Sequence, residues 1–340
     1  MQNVNKIQSL LSLEFNSLFT EHDDILFINL DFLTDRNYQA QGVNEYLYTI
    51  NQLGKNKIIV FLLRDGINPY LTGIVALIEK TIQMHNLNKE TCFIYGYHQL
   101  TITNATTILV NYAKVWIRQI YPLIQDLPLA TTQFEKTFAA LFGRHDPYRL
   151  KLFRHLNDNY ANTSILSYNS NTARWNHRFD EYFIDDRDYF KANCPKLLDY
   201  ANPRGWVPYQ DSMQDIGKHY QQYFVEIVAE TDPHTDNFFT EKTTKNFYLG
   251  KPFLLLSGQH SLRYLQDLGF RTFAPWINED YDNMPGIADR VQAIQVEIDR
   301  LGQLSKFDLK QIHQVLQPIF EHNRQVFLDI ARTPVELTIG

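Results

Sequence analysis

Phe238-Phe239-Thr240-Glu241-Lys242-Thr243-Thr244-Lys245-Asn246-Phe247-Tyr248-Leu249-Gly250-Lys251-Pro252 reads as the start of a helix that leads into a buried strand, the apolar run Pro252–Leu256. A polar loop precedes it. Thr240 can cap the helix by placing its hydroxyl on a free backbone N–H. Free N–H groups and the positive dipole end make such a terminus an anion site. Lys242 and Lys245 are three residues apart and share one helix face, which suits neutralisation of a diphosphate. Glu241 lies on a different face and suits hydrogen bonds from ribose hydroxyls. The same pattern also fits a capped surface helix with solvated charges.

Outward from this stretch the chain alternates strands and helices. Tyr223–Ala229 reads as a strand that ends in Glu230-Thr231-Asp232. Glu226 and Glu230 are charged groups in an otherwise apolar run, a pattern that marks either a cleft or an edge strand. Downstream, Ser261–Leu268 is helical with Gly269 as its C-cap. Arg271–Phe273 reads as a short strand, and Ile287–Leu301 and Phe307–Ile330 as two long helices. Upstream, Phe134–Phe142 reads as a strand, Gly143-Arg144-His145-Asp146-Pro147 as a turn, and Tyr148–Leu156 as a helix with Pro in its first turn. Thr163–Tyr168 is a further strand. Residues 169–222 are polar and aromatic-rich with weak periodicity, as expected of long loops and short helices over a cleft.

The first third repeats the alternation. Residues 6–19 and Asn44–Leu53 have helical spacing, as does Tyr70–His85. Ile25–Leu30, Ile58–Leu63, Thr91–Tyr95 and Thr106–Tyr112 read as strands, and Val115–Leu123 as an amphipathic segment. His22-Asp23-Asp24 reads as a polar break. Asp126-Leu127-Pro128-Leu129 is the best linker. Alternation of this kind predicts an α/β fold with mainly parallel sheets, here twice over.

Composition narrows the class without naming it. The chain has 340 residues, 44% hydrophobic and 21% charged, enough for two ordinary domains. Net charge is −6, and no block of like charges suggests a nucleic-acid tail or a membrane patch. Cys92 and Cys194 form neither a disulfide framework nor a zinc spacing, so a reducing, cytoplasmic setting is expected. Neither a signal-peptide pattern nor a transmembrane run is evident. Gly-x-Gly-x-x-Gly, Walker and Gly-x-Ser-x-Gly motifs are missing, which removes the main support for dehydrogenase, P-loop and α/β-hydrolase readings.

Three other groupings carry weaker signals. Arg144 and Arg149 flank a strand-to-helix turn and offer planar donors suited to phosphate, or are ordinary surface residues. Asp185-Asp186-Arg187-Asp188 has the look of a metal-holding acidic triplet but does not clearly follow a strand. Asp280-Tyr281-Asp282 shares that drawback. The histidines show no metal-ligand spacing.

The motifs Phe239-Thr240-Glu241-Lys242, Pro252-Phe253, Leu262-Arg263-Tyr264-Leu265 and Leu268-Gly269-Phe270-Arg271-Thr272-Phe273, in that order, resemble the donor-binding half of GT-B glycosyltransferases of the α-1,3-fucosyltransferase type. The likeness is nearest to the fucosyltransferase-like proteins of bacteria and large phages, and spans roughly residues 134–301. Ala229-Glu230-Thr231 and the turn bearing Arg144 and Arg149 extend it. The resemblance implies two Rossmann-like domains facing across a cleft: an acceptor-side domain over 1–128, a nucleotide-sugar domain over 129–304, and a C-terminal helix over 305–340 packing back on the first. It implies that Glu241 contacts the ribose, that Lys242 contacts the diphosphate, and that an arginine at 144 or 149 assists. Glu230, Thr240 and Lys245 complete the expected donor site. The expected reaction is inverting, metal-independent transfer of a sugar from a nucleoside diphosphate to an acceptor hydroxyl, with no cofactor beyond that donor. Asp65, in Arg64-Asp65-Gly66, is the expected base; Asp31 and His98 share its setting. The acceptor is open between a saccharide and a modified base in DNA, and a non-catalytic binding protein of the same fold is the other alternative.

Overall fold

A computed structural model of the chain describes residues 3, 6–7, 19–22, 24–30, 46, 58–63, 74–96, 100, 102–143, 146–168, 187–194, 217, 219–231, 233, 238–333 and 337–339. Two compact units emerge, one of Met1–Asn111 with Val335–Gly340, the other of Tyr112–Pro334. The division falls ahead of the linker expected at Pro128. The helix Tyr112–Ile124 packs within the second unit, through Ala113, Ile117, Ile120 and Ile124.

The first unit holds a six-stranded sheet in the order β1-β2-β3-β4-β5-β10. Strands β2 (Ile25–Asn29), β3 (Ile58–Leu63), β4 (Cys92–Gly96) and β5 (Thr106–Val110) are parallel neighbours in chain order. β2, β3 and β4 are short, mostly apolar runs without alternation, as strands covered on both faces require, and β5 opens on two threonines. Leu26, Ile28, Ile59, Phe61 and Ile94 pack on Ile74, Ile78 and Ile82 of α1 (Ile74–His85). Ile25, Phe27, Val60, Leu62 and Phe93 form the other face, with Ile7. Gly96 ends β4 against β3, where a Cβ would lie 2.8 Å from the Leu63 carbonyl oxygen.

Both edges of this sheet are antiparallel. β1 (Phe19–His22) pairs with β2, so Phe19 and His22 belong to a strand and not to the expected helix and break. β10 (Leu337–Ile339) pairs with β5, Leu337 opposite Val110 and Ile339 opposite Ile108. The expected helix over 44–53 and most of that over 6–19 lie outside the described residues.

The second unit is a doubly wound α/β layer. Its sheet has the order β7-β6-β8-β9, all parallel: β6 (Lys136–Phe142), β7 (Ser164–Tyr168), β8 (Tyr223–Ala229) and β9 (Phe253–Leu256). From β6 the chain goes to β7 on one side and returns to β8 on the other. The order therefore reverses between β6 and β8, and ligands of open α/β sheets bind outside the carboxyl ends of such a pair. The helices are α2 (Tyr112–Ile124), α3 (Pro147–Tyr160), α4 (Arg187–Asn193), α5 (Glu241–Leu249), α6 (Ser261–Asp267), α7 (Ile287–Gly302), α8 (Lys306–Val315) and α9 (Gln317–Arg332). Glu226 of β8 faces α5. Its neighbour Val225 points the other way, as does Phe138, its partner on β6, which packs on Tyr160 of α3. Helices thus cover both faces.

Two expected elements differ. The single helix expected over Phe307–Ile330 is two, α8 and α9, divided at Leu316. Pro318 sits in the first turn of α9, where its missing N–H is tolerated; in mid-helix it would break the ladder. Arg271–Phe273 is not a strand. The Arg271 N–H donates to Asn323 Oδ1 at 2.7 Å, its carbonyl accepts from Asn323 Nδ2 at 2.8 Å, and the Phe273 N–H donates to Glu279 Oε1 at 2.7 Å. Side chains have taken the backbone groups that a ladder would use.

His313 of α8 is fully buried among the rings of Phe134, Phe224 and Phe320. Its Nδ1 accepts from Gln317 Nε2 at 3.1 Å. Burial, and then the charge of Lys251, push its pKa down to about 4 from an ordinary 6.5. Between those values the unfolded chain binds the proton and the folded chain does not. Stability is therefore full above pH 6.5 and is lost as pH falls towards 4, by about 3 kcal/mol. His313→Phe should remove that dependence. Denaturant titrations of both proteins at pH 7 and pH 4 check this; an equal acid loss in the variant would contradict it.

Candidate functional site

Helix α5 starts where the sequence says. Thr240 has extended backbone (φ −117°, ψ −168°), and its Oγ1 accepts from the Lys242 N–H at 3.3 Å. It ends at Gly250, whose left-handed φ of 73° a side chain would resist. The amino end lies beside the carboxyl end of β8, one of the two strands flanking the reversal of order.

A buried carboxylate braces that amino end. Glu230, the first residue beyond β8, is 1% exposed. Its Oε1 accepts from the Thr240 N–H at 2.9 Å and from Thr243 Oγ1 at 2.6 Å, and its Oε2 from Thr240 Oγ1 at 2.7 Å. The neighbouring helices are treated alike. Asp282, buried, accepts from the Leu262 N–H of α6 at 3.1 Å; burial raises its pKa, against backbone hydrogen bonds that lower it. Asp146 accepts from the N–H groups of Tyr148 and Arg149 at 2.9 and 3.2 Å at the start of α3. Glu230 and Thr240 satisfy each other at the α5 terminus, and Thr240 in turn takes the Lys242 N–H of the first turn.

Glu241 and Lys242 remain partly open, their side chains 15% and 26% exposed. Lys242 Nζ lies 3.0 Å from Glu241 Oε1, 3.0 Å from Thr240 Oγ1 and 3.3 Å from Thr231 Oγ1, with Glu230 Oε2 at 4.0 Å. Burial pushes the Glu241 carboxyl up, but the charge and hydrogen bond of Lys242, with hydrogen bonds from its own backbone N–H and from Thr240, hold its pKa below the ordinary value. An anchored cation and an ionised carboxylate therefore stand side by side, a pair able to meet an anion and hydroxyl groups together.

Lys245 does not join them. Its side chain is 3% exposed, and its Nζ donates to Glu226 Oε1 at 2.7 Å and to the Lys242 carbonyl at 2.7 Å. Three residues along a helix give a common face, but the long stem bends towards the carboxylate that β8 offers. Glu226 accordingly faces α5 from inside the layer and not a cleft. Arg149, 3% exposed, is likewise internal: its Nη2 donates to the carbonyls of Ala229 and Glu230 at 2.9 and 2.7 Å, tying α3 to β8 across the switch point. Arg144 and Asp65 lie outside the described residues, as do Asp31, His98, Asp185 and Asp186.

Two residues near this edge were not anticipated. Arg290, in the first turn of α7 and 4% exposed, donates from Nη1 to the Met284 carbonyl at 2.8 Å and from Nη2 to the Pro233 carbonyl at 3.0 Å. It fastens the loop after β8 to the turn before α7. In the sequence it is one arginine after a glycine, with no periodic signal. Thr231, already in view as the strand's end, proves to be a partner of Lys242.

Among the described residues no three His, Cys, Asp or Glu side chains converge as a metal site, and no helix is long and apolar enough to cross a membrane. Searches against protein-family models, curated proteins and solved structures return no match, so the family likeness rests on the sequence motifs alone.

Proposed function

We propose that the second unit binds a nucleoside diphosphate sugar and that the protein is a glycosyltransferase of the GT-B kind, moving the sugar to an acceptor hydroxyl. One observation carries this reading: Glu241 and Lys242, adjacent and partly exposed, stand at the carboxyl end of a strand flanking the switch point. The resemblance of the surrounding motifs to the fucosyltransferase type supports it.

On this reading Lys242 exchanges its contact with Glu241 for the diphosphate, and Glu241 turns to the ribose hydroxyls. In the transfer a base takes the acceptor proton as the new bond to the sugar's anomeric carbon forms. The bond from that carbon to the diphosphate breaks, and charge grows on the leaving oxygen. Lys242 meets that charge, the task for which a prepositioned cation is most effective. Asp65 as base and Arg144 as a second phosphate contact belong to the same proposal.

The test is a thermal-shift panel of GDP-, UDP-, CMP- and dTDP-sugars. A ligand that binds only the folded state raises its stability, by about 2.7 kcal/mol at a hundredfold excess over its dissociation constant. One nucleotide class should raise the melting temperature. A flat response to all four at millimolar concentration would sink the reading.

A further inference from the structure

β8 and the residue that follows it carry two buried carboxylates, Glu226 (4% exposed) and Glu230 (1% exposed), and the Glu230 N–H still donates to the Leu256 carbonyl of β9 at 2.9 Å. A strand alternates its faces with a period of two, so residues four apart point the same way. Both meet α5. Glu230 holds Thr240 and Thr243 at the start of the helix. Glu226 holds Lys245, and Lys245 in turn donates to the Lys242 carbonyl, which also accepts from Asn246 Nδ2 at 2.9 Å. Glu241 and Lys242 lie between these two grips.

On the donor-site reading above, we propose that Glu226, Lys245 and Glu230 are positioning residues: a buried clamp that fixes the first turn of α5, and with it Glu241 and Lys242, without touching the ligand. First turns of helices have unsatisfied N–H groups and fray, so side chains mounted there are poorly placed unless something outside the helix holds them. Glu230 takes the N–H of Thr240, just ahead of the first turn. Lys245 takes a carbonyl one turn back, which sets the rotation of the Lys242 backbone. Apolar side chains fill a core as well as a buried ion pair does and often leave it as stable. They have no direction, and direction is what the pair supplies.

The double variant E226M/K245M separates filling from positioning. It is expected to melt within a few degrees of the wild type. Amide exchange of Thr243–Asn246 should rise at least about tenfold, and the dissociation constant for GDP, UDP, CMP or dTDP, whichever shifts the wild type, should rise at least about tenfold. Wild-type exchange rates in the variant would overturn the clamp, whatever the protein binds. Faster exchange with unchanged nucleotide affinity would overturn the positioning role. A wild type that responds to none of the four nucleotide classes would remove the donor reading and that role together, while exchange would still decide whether the clamp holds α5. If the double variant fails to fold, Glu230→Gln keeps the side-chain shape and one acceptor oxygen. It should show both changes in smaller degree, and the absence of both would overturn the proposal.

Discussion

Lys245→Met alone is expected to destabilise the second unit by about 3–5 kcal/mol, more than the double replacement of the pair. The reason is what stays behind. The Glu226 side chain is 5% exposed, and without Lys245 its described hydrogen-bond donor is the Tyr223 hydroxyl at 3.1 Å. Lys251 is near, fully buried, but its amine is spent on the Tyr223 carbonyl and lies over that residue's ring at 4.4 Å. Burial drives its pKa down to about 7, against the pull of Glu226, so at neutral pH it is an incomplete substitute cation. Glu226 must keep an uncompensated charge or take up a proton, and either lowers the stability of the fold. For a unit of this size the loss corresponds to roughly 6–20 °C in melting temperature. A single variant as stable as the double one would show that the pair is not coupled.

Lys242→Ala should act on function and spare the fold. The amine is partly solvated, and removing it leaves Glu241 open to water, so the melting temperature should move little. On the proposed donor reading, the diphosphate loses a charge-assisted contact worth roughly 1.5–3 kcal/mol, so kcat/KM should fall at least about tenfold. Because charge on the diphosphate grows as the sugar departs, the larger part of the loss should be in kcat. Lys242→Arg should restore part of it. An unchanged turnover with a confirmed donor would remove Lys242 from the phosphate site.

Much of the fold was legible because buried parallel strands have a plain signature. Ile58–Leu63 is an uninterrupted apolar run of strand length and Tyr223–Ala229 is broken by Glu226 alone, and both are strands. The start of α5 was legible from Thr240 and its end from Gly250. What escaped notice depends on partners distant in sequence. The helical wheel puts Lys242 and Lys245 on one side, but the wheel knows nothing of Glu226 on the neighbouring strand. Glu230 reads as a ligand-facing carboxylate in the sequence; only the closeness of β8 to α5 shows that it holds the capping residue Thr240. Arg271–Phe273 has the composition of a strand, and Asn323 and Glu279 took its backbone groups first. Helix α2 was placed before the Pro128 linker, in the first domain, because turn residues mark loops and not the side on which a helix packs.

β5 and β10 are neighbours in one sheet, yet the whole of Tyr112–Pro334 is synthesised between them. Chains usually fold behind the ribosome from the amino end, one domain at a time. Here that order cannot be completed for the first unit. At roughly 5–20 residues per second, the outer edge of β5, Thr106–Val110, waits for about ten seconds or more with its backbone groups unpaired. An open strand edge is a template for another chain. The nascent first unit thus offers a docking edge that the finished sheet closes, where β10 covers β5.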